Sequence, residues 1–85
     1  MKAPTLAATA AILFCSQTLA EPVNINTADA SSIASALDGI GQRKAMAIVD
    51  YRQQHGPFLT PDDIVLVRGI GQSTLEKNKA DILVK

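Results

Sequence analysis

Cysteine occurs once in this 85-residue chain, as Cys15, and histidine once, as His55; tryptophan is absent, and tyrosine occurs once. A lone thiol and a lone imidazole cannot supply the N and S ligands of a zinc site, and a single cysteine closes no disulfide. His55 stands beside a predicted helix end, where the dipole favours it. Tyr51, the one tyrosine, is by itself a poor platform for stacking a single strand and fits a packing or surface role, as does Arg52. An excess of one charge is missing as well, with eight Lys and Arg against eight Asp and Glu. Bulk electrostatics therefore cannot drive binding to a polyanion; local geometry would have to. Catalytic pairs are also missing. Asp62 and Asp63 are adjacent and read as helix-start acids, while Ser31, Ser32 and Ser35 have no evident base partner. A pocket joining His55 to a carboxylate is the feature that would revive an enzymatic reading.

The first twenty residues have the order of a secretory signal peptide. Met1-Lys2 is a short positive start, Leu6 to Cys15 is apolar and uncharged, and Thr18-Leu19-Ala20 precedes Glu21. Cleavage is expected after Ala20, giving a signal peptide over 1–20 and a domain over 21–85. The apolar run is shorter than the roughly 20 residues of a membrane span, so no stable anchor is expected after cleavage. Phe14 before Cys15 is too bulky for a lipid-attachment signal. Lys2 is one of the eight basic residues, so residues 21–85 hold seven against eight acids, a net charge near −1. A domain of this size without disulfides must stand on packing alone.

What the chain does have is a repeat. Leu37-Asp38-Gly39-Ile40-Gly41-Gln42 and Val67-Arg68-Gly69-Ile70-Gly71-Gln72 each follow a short apolar helical stretch and each open another helix. A Gly-apolar-Gly turn at a helix start bares N–H groups that have no partner within the helix, and no side chain blocks close approach. Such a turn suits a phosphate oxygen. Either turn alone is ordinary turn chemistry; the duplication is what points to a ligand.

The rest of the pattern is helical. A first helix over about Ala28–Leu37 starts at Asn26 or Thr27 and buries Ile33 and Leu37. A second over about Gln42–Gln54 buries Ala45, Ile48 and Val49 and stops at Gly56-Pro57. Phe58 and Leu59 are expected to plug the gap between the halves. Thr60-Pro61-Asp62-Asp63 opens a short helix burying Ile64 and Val67. A last helix over about Gln72–Lys79 returns Leu75, and Ile82 beyond it, to the core. No alternating strand pattern of useful length is present. The expected fold is all-α: one small domain of two tandem helix-hairpin-helix motifs, with four to five short helices.

The segments Val23-Asn24-Ile25-Asn26-Thr27-Ala28, Gly39-Ile40-Gly41, Ala47-Ile48-Val49-Asp50-Tyr51-Arg52, Gly56-Pro57-Phe58, Gly69-Ile70-Gly71 and Leu75-Glu76-Lys77-Asn78 occur in the order seen in ComEA-type competence proteins. Across residues 23–84 the chain resembles that family. The resemblance implies a tandem helix-hairpin-helix domain that binds double-stranded DNA without sequence preference and helps draw DNA across the envelope in natural transformation. This chain resembles the shorter, exported form, free in a Gram-negative periplasm, with double-stranded DNA and envelope DNA-uptake proteins as partners. No enzyme activity, metal or cofactor enters the reading. A monovalent cation sits on the hairpin carbonyls of some such motifs, and the residues here do not specify one.

Carried over by position, the phosphate-binding residues are Gly39, Ile40, Gly41, Gln42, Arg43 and Lys44 at the first turn, and Arg68, Gly69, Ile70, Gly71, Gln72, Ser73 and Thr74 at the second. Ile40 and Ile70 are expected to pack beneath their turns and set the angle of the amides. Arg43, Lys44 and Arg68 would add charge, and Ser73 and Thr74 hydroxyl hydrogen bonds. Asp38 departs from the pattern, since an acid before the first turn repels phosphate. Lys44→Glu is expected to weaken duplex binding with little loss of folding, and Gly41→Val to damage both. The competing reading is a periplasmic interaction scaffold of the same fold, as in an extrinsic lumenal subunit of photosystem II, with an exposed apolar patch away from the turns.

Overall fold

The computed structural model describes residues 21–85; the expected signal peptide lies outside the described residues. In chain order the elements are β1 (Val23–Asn24), α1 (Ala30–Ala36), α2 (Gln42–His55), a 3-10 helix (Pro61–Leu66), α3 (Gln72–Asn78), a 3-10 turn (Lys79–Asp81) and β2 (Ile82–Leu83). The fold is mostly helical and built from two helix-hairpin-helix halves, as the pattern predicted.

Each helix begins where local chemistry dictates. α1 starts two residues later than expected. The Asn24 carbonyl accepts the Thr27 and Ala28 amides, at 3.1 and 2.9 Å, and holds that stretch in a turn. The cap falls to Asp29, whose carboxylate accepts the Ser32 amide at 2.8 Å. α2 matches its expected span within a residue and ends as Gly56 donates its N–H to the Arg52 carbonyl at 2.9 Å. The segment opened by Pro61 is a 3-10 helix rather than an α-helix. Its start is fixed by the Asp63 carboxylate, which turns back to accept the Leu59 and Thr60 amides.

The core is one cluster drawn from every element except the 3-10 turn. Ile25, Ile33, Ile48 and Ile64 are fully buried, joined by Leu37, Ile40, Ala45, Phe58, Val67, Ile70, Leu75 and Ile82. Each large aliphatic side chain removed from water this way contributes about 1.5–3 kcal/mol. α1 packs on α2, and α3 on the 3-10 helix, so each half closes on itself and the two share one interior. Val49 flanks that interior half-buried. Phe58 enters it and stacks on Tyr51, with ring centroids 5.2 Å apart. Leu59 does not: it stands at a bend and is 81% exposed.

One element went unpredicted. β1 and β2 pair in parallel, Val23 opposite Ile82 and Asn24 opposite Leu83, and the Ile25 amide continues the ladder to the Leu83 carbonyl at 3.0 Å. Two-residue strands show no alternation to read, and pairing joins the two ends of the domain. Two side chains reinforce the closure. The Asn26 amide group donates to the Phe58 carbonyl and accepts the Phe58 N–H, at 3.0 and 2.8 Å. Arg52 Nη1 donates to the carbonyls of Ile25 and Ala28, at 2.8 and 2.6 Å. Of the packing or surface role expected of it, Arg52 thus takes the former, as a backbone staple.

Candidate nucleic-acid interface

The two Gly-Ile-Gly turns have the same backbone conformation. Gly39 and Gly69 take positive φ, +79° and +92°, a region that side chains with a Cβ rarely adopt. Gly41 and Gly71 follow in extended conformation, with φ −81° and ψ −175° in one and φ −107° and ψ −177° in the other. Between them Ile40 and Ile70 are buried, at 3% and 5% exposure, so each turn is pinned from below.

Each turn delivers the chain to the start of a helix that nothing caps. Gly41 and Gly71 have no side chain to offer, and the first turns of α2 and α3 hold no acid. The first amides with partners inside these helices are those of Ala45, to Gly41 O, and Leu75, to Gly71 O. The N–H groups of Gln42, Arg43 and Lys44 and of Gln72, Ser73 and Thr74 are therefore left without an intrahelical acceptor. The contrast lies within the same molecule: α1 is capped by Asp29, and the 3-10 helix has Asp62 and Asp63 in its first turn. Among the described residues the two helices that follow Gly-Ile-Gly have neither a capping side chain nor an acid in the first turn, and a Cβ built on Gly41 or Gly71 would meet nothing within 4 Å. Exposed helix-start amides together with the helix dipole attract an anion.

That open space corrects one expectation. Gly41 sits in a backbone region any residue adopts, with room for a side chain, so Gly41→Val costs folding only the N-cap preference for glycine over valine. Within the two turns, the positions whose conformation needs glycine are Gly39 and Gly69.

The side chains around the turns divide. Gln42, Arg43, Arg68, Gln72 and Ser73 are exposed, and Lys44 and Thr74 half-buried. Gln72 donates to the Glu76 carboxylate at 3.4 Å. Arg68 lines a hollow of about 390 Å³ with Ala47, Asp50, Tyr51, Gln54, His55 and Val67. That hollow places His55 near a carboxylate. Among the described residues, however, no hydrogen bond joins His55 to Asp50, and the imidazole lies against the Tyr51 ring with centroids 4.3 Å apart. It is not a hydrogen-bonded acid–base pair.

Two side chains that sequence reasoning passed over, Asn78 and Lys77, complete the picture together with Lys44. Asn78, 2% exposed, accepts the Asp38 N–H and donates to the Asp38 carbonyl, both at 2.7 Å, bracing the first turn from α3. Lys77 Nζ lies 3.7 Å from where a Cβ on Gly39 would stand, and the Lys44 stem passes 3.9 Å from the same point on Gly69. Only the polar character of Asn78 at an otherwise apolar helix position hinted at this. Among the described residues the one ion pair, Lys79–Asp62 at 3.0 Å, involves neither of these lysines. No group of three or more potential metal ligands occurs among the described residues. No helix among them is long and apolar enough to cross a membrane.

Comparison with known proteins agrees with this geometry. The chain is 49% identical over 65 residues to an uncharacterized protein of Haemophilus influenzae, covering 76% of this chain and 58% of that one. It is 46% identical over 63 residues to ComE operon protein 1 of Bacillus subtilis, covering 74% of this chain and 30% of that one, which bears out the likeness to ComEA-type proteins. It is 35% identical over 63 residues to human endonuclease/exonuclease/phosphatase family domain-containing protein 1, covering 74% of this chain and 11% of that one. The chain thus spans well under two thirds of the length of each. The helix-hairpin-helix motif family matches residues 19–83, nearly the whole of the described domain, and with two such turns in place the chain belongs to that family.

Proposed function

We propose that this protein is an exported, non-enzymatic binder of double-stranded DNA that acts in the periplasm, indifferent to sequence, in the uptake of transforming DNA. The observation that carries the reading is the pair of uncapped helix starts, alike in backbone and preceded by Gly-Ile-Gly, in a domain whose other helix starts are occupied by acids. The likeness to ComE operon protein 1 supports the biological setting. The endonuclease/exonuclease/phosphatase family relatives share a stretch that is only 11% of their length, and a binding module common to both accounts for that overlap.

In this reading each turn presents its amides to one phosphate oxygen, and the two turns meet the two strands across a minor groove. Contacts to phosphate fix position on the duplex and carry no base information. Ile40 and Ile70 hold the amides in place. Arg43, Lys44 and Arg68 add charge, and Ser73 and Thr74 hydroxyl donors. With a net charge near −1 over residues 21–85, local contacts supply the affinity. The logarithm of affinity then falls by about 0.9 per phosphate contact for each tenfold rise in salt.

Fluorescence anisotropy with a labelled duplex and its single strand, at low and physiological salt, tests this. Duplex binding that depends on length, ignores sequence and weakens steeply with salt supports it. No duplex binding at low salt overturns it and leaves the scaffold reading. Leu59 and Leu66, 81% and 59% exposed on the loop and 3-10 helix between the halves, are the apolar surface that a protein partner would then cover. Tolerance of charge reversal at both turns would agree with a scaffold.

A further inference from the structure

We infer that the two phosphate sites are composite and exchange their lysines: Lys77, from the second half, serves the first turn, and Lys44, from the first half, serves the second. This inference rests on the DNA-binding reading above. The observation is reciprocal. The ammonium of Lys77 stands over Gly39, 3.7 Å from the point a Cβ would occupy. The Cγ and Cε of Lys44 lie over Gly69, both 3.9 Å from the corresponding point, which places its ammonium one bond beyond. Each stem crosses from one hairpin half to the positive-φ glycine of the other.

The thirty-residue repeat does not relate these lysines. The counterpart of Lys44 is Thr74, and that of Lys77 is Ala47. Alignment of the halves by sequence therefore assigns Lys44 to its own turn, leaves the second turn with Arg68 and the hydroxyls of Ser73 and Thr74, and gives Lys77 no role. The fold redistributes them, so that each turn has one lysine beside its glycine, Lys77 by its ammonium and Lys44 by its stem. At the first turn this answers the objection posed by Asp38: Lys77 sets a positive charge beside the acid that would repel phosphate. The bracing of Asp38 by Asn78, at 2.7 Å, fixes the turn against the helix that carries Lys77. Since the single ion pair among the described residues is Lys79–Asp62, the charge of Lys77 is not spent on a protein carboxylate. An ammonium held over bare helix-start amides acts with them on the same anion.

The test is a set of duplex titrations across a salt series, with folding checked by circular dichroism. For Lys77→Gln the loss of one phosphate contact is read as about fifteenfold weaker binding near 50 mM salt and about fivefold near 150 mM, with the salt slope reduced by about 0.9. Lys77→Arg retains most of the affinity, and Lys79→Gln, whose lysine is paired with Asp62, changes it less than twofold. The exchange itself is read from double variants. In a Gly41→Val background, where a side chain blocks the first turn, Lys77→Gln costs little more, whereas in Gly71→Val it costs its full factor. Lys44→Gln shows the opposite pattern. If Lys77→Gln matches Lys79→Gln in affinity and slope, or couples to Gly71 instead of Gly41, the exchange is wrong while the DNA reading stands. If the unaltered protein binds no duplex at the lowest salt, both fall.

Discussion

Asn78 and Asp38, forty residues apart, are joined by two hydrogen bonds of 2.7 Å that use both ends of the asparagine amide and both polar groups of the Asp38 backbone. The arrangement is that of a strand partner condensed into one side chain. It ties the last turn of α3 to the residue that precedes Gly39. Asn78 also donates to the Thr74 carbonyl at 3.0 Å, so its orientation is set from its own helix. Asn78→Leu keeps the volume and removes every partner. Leaving one backbone donor and one acceptor unpaired costs about 2–4 kcal/mol in all, to be measured by urea unfolding. Asn78→Gln, one methylene longer, does not restore the loss.

Gly39 and Gly41 have opposite sensitivities although they are neighbours in one turn. Gly39→Ala puts a Cβ on a residue at φ +79° and destabilises the domain by about 1–2 kcal/mol. Gly41→Asp places a capping carboxylate where the backbone already has N-cap geometry, raising stability by a few tenths of a kcal/mol. The same carboxylate occupies the amides and repels phosphate, so duplex affinity collapses. Thermal unfolding and anisotropy on one preparation show the two effects with opposite sign.

Arg52 stabilises the fold through carbonyls rather than acids. Its Nη1 closes the turn before α1 against α2 through Ile25 and Ala28. Arg52→Met retains the aliphatic stem and strands two acceptors, lowering stability by about 1–3 kcal/mol. Duplex affinity per folded molecule is unchanged, which distinguishes it from the basic residues of the turns.

Asp29 gives the domain an acid limb. The Ser32 backbone amide, chiefly, and the Ser32 side chain hold its carboxyl below the usual 3.8 against an opposing effect of desolvation, with Arg52 the least of the contributions. A carboxyl lowered on folding contributes stability above its unfolded value and loses that contribution as pH falls through the folded one. Asp29→Ala therefore melts below the unaltered protein at neutral pH, and the gap narrows as pH is taken well below 3.8. A gap that stays constant down to that range would show that the cap acts without its charge.

What could be read from the sequence was what neighbours in the chain determine. The Gly-Ile-Gly turns, the stop at Gly56, the start at Pro61 and the apolar stripe of α2 depend on residues within one turn of each other. What escaped depends on partners far along the chain. Asn78 had no role in the sequence, because its partner Asp38 lies forty residues away. Lys77 had no role while the halves were compared by register, because the fold lays it over the other half's glycine. Leu59 was assigned inward with Phe58, whereas the chain bends at Leu59 and only Phe58 reaches the core. Asn26 and Thr27 were each suitable caps, but the Asn24 carbonyl claimed the amides that would have begun the helix there.

The parallel pairing of Val23 with Ile82 has a consequence for the order in which the molecule forms. A chain that emerges N-terminus first, from a ribosome or through a secretion channel, presents Val23 and Ile25 almost at once. Their covering strand arrives only after nearly all the intervening residues have passed. Until then the Ile25 amide lacks Leu83, and the buried cluster stays open on the side that Ile82 fills. Contacts of such long range come late in folding. The domain therefore closes into a rigid body only when its last strand is in place.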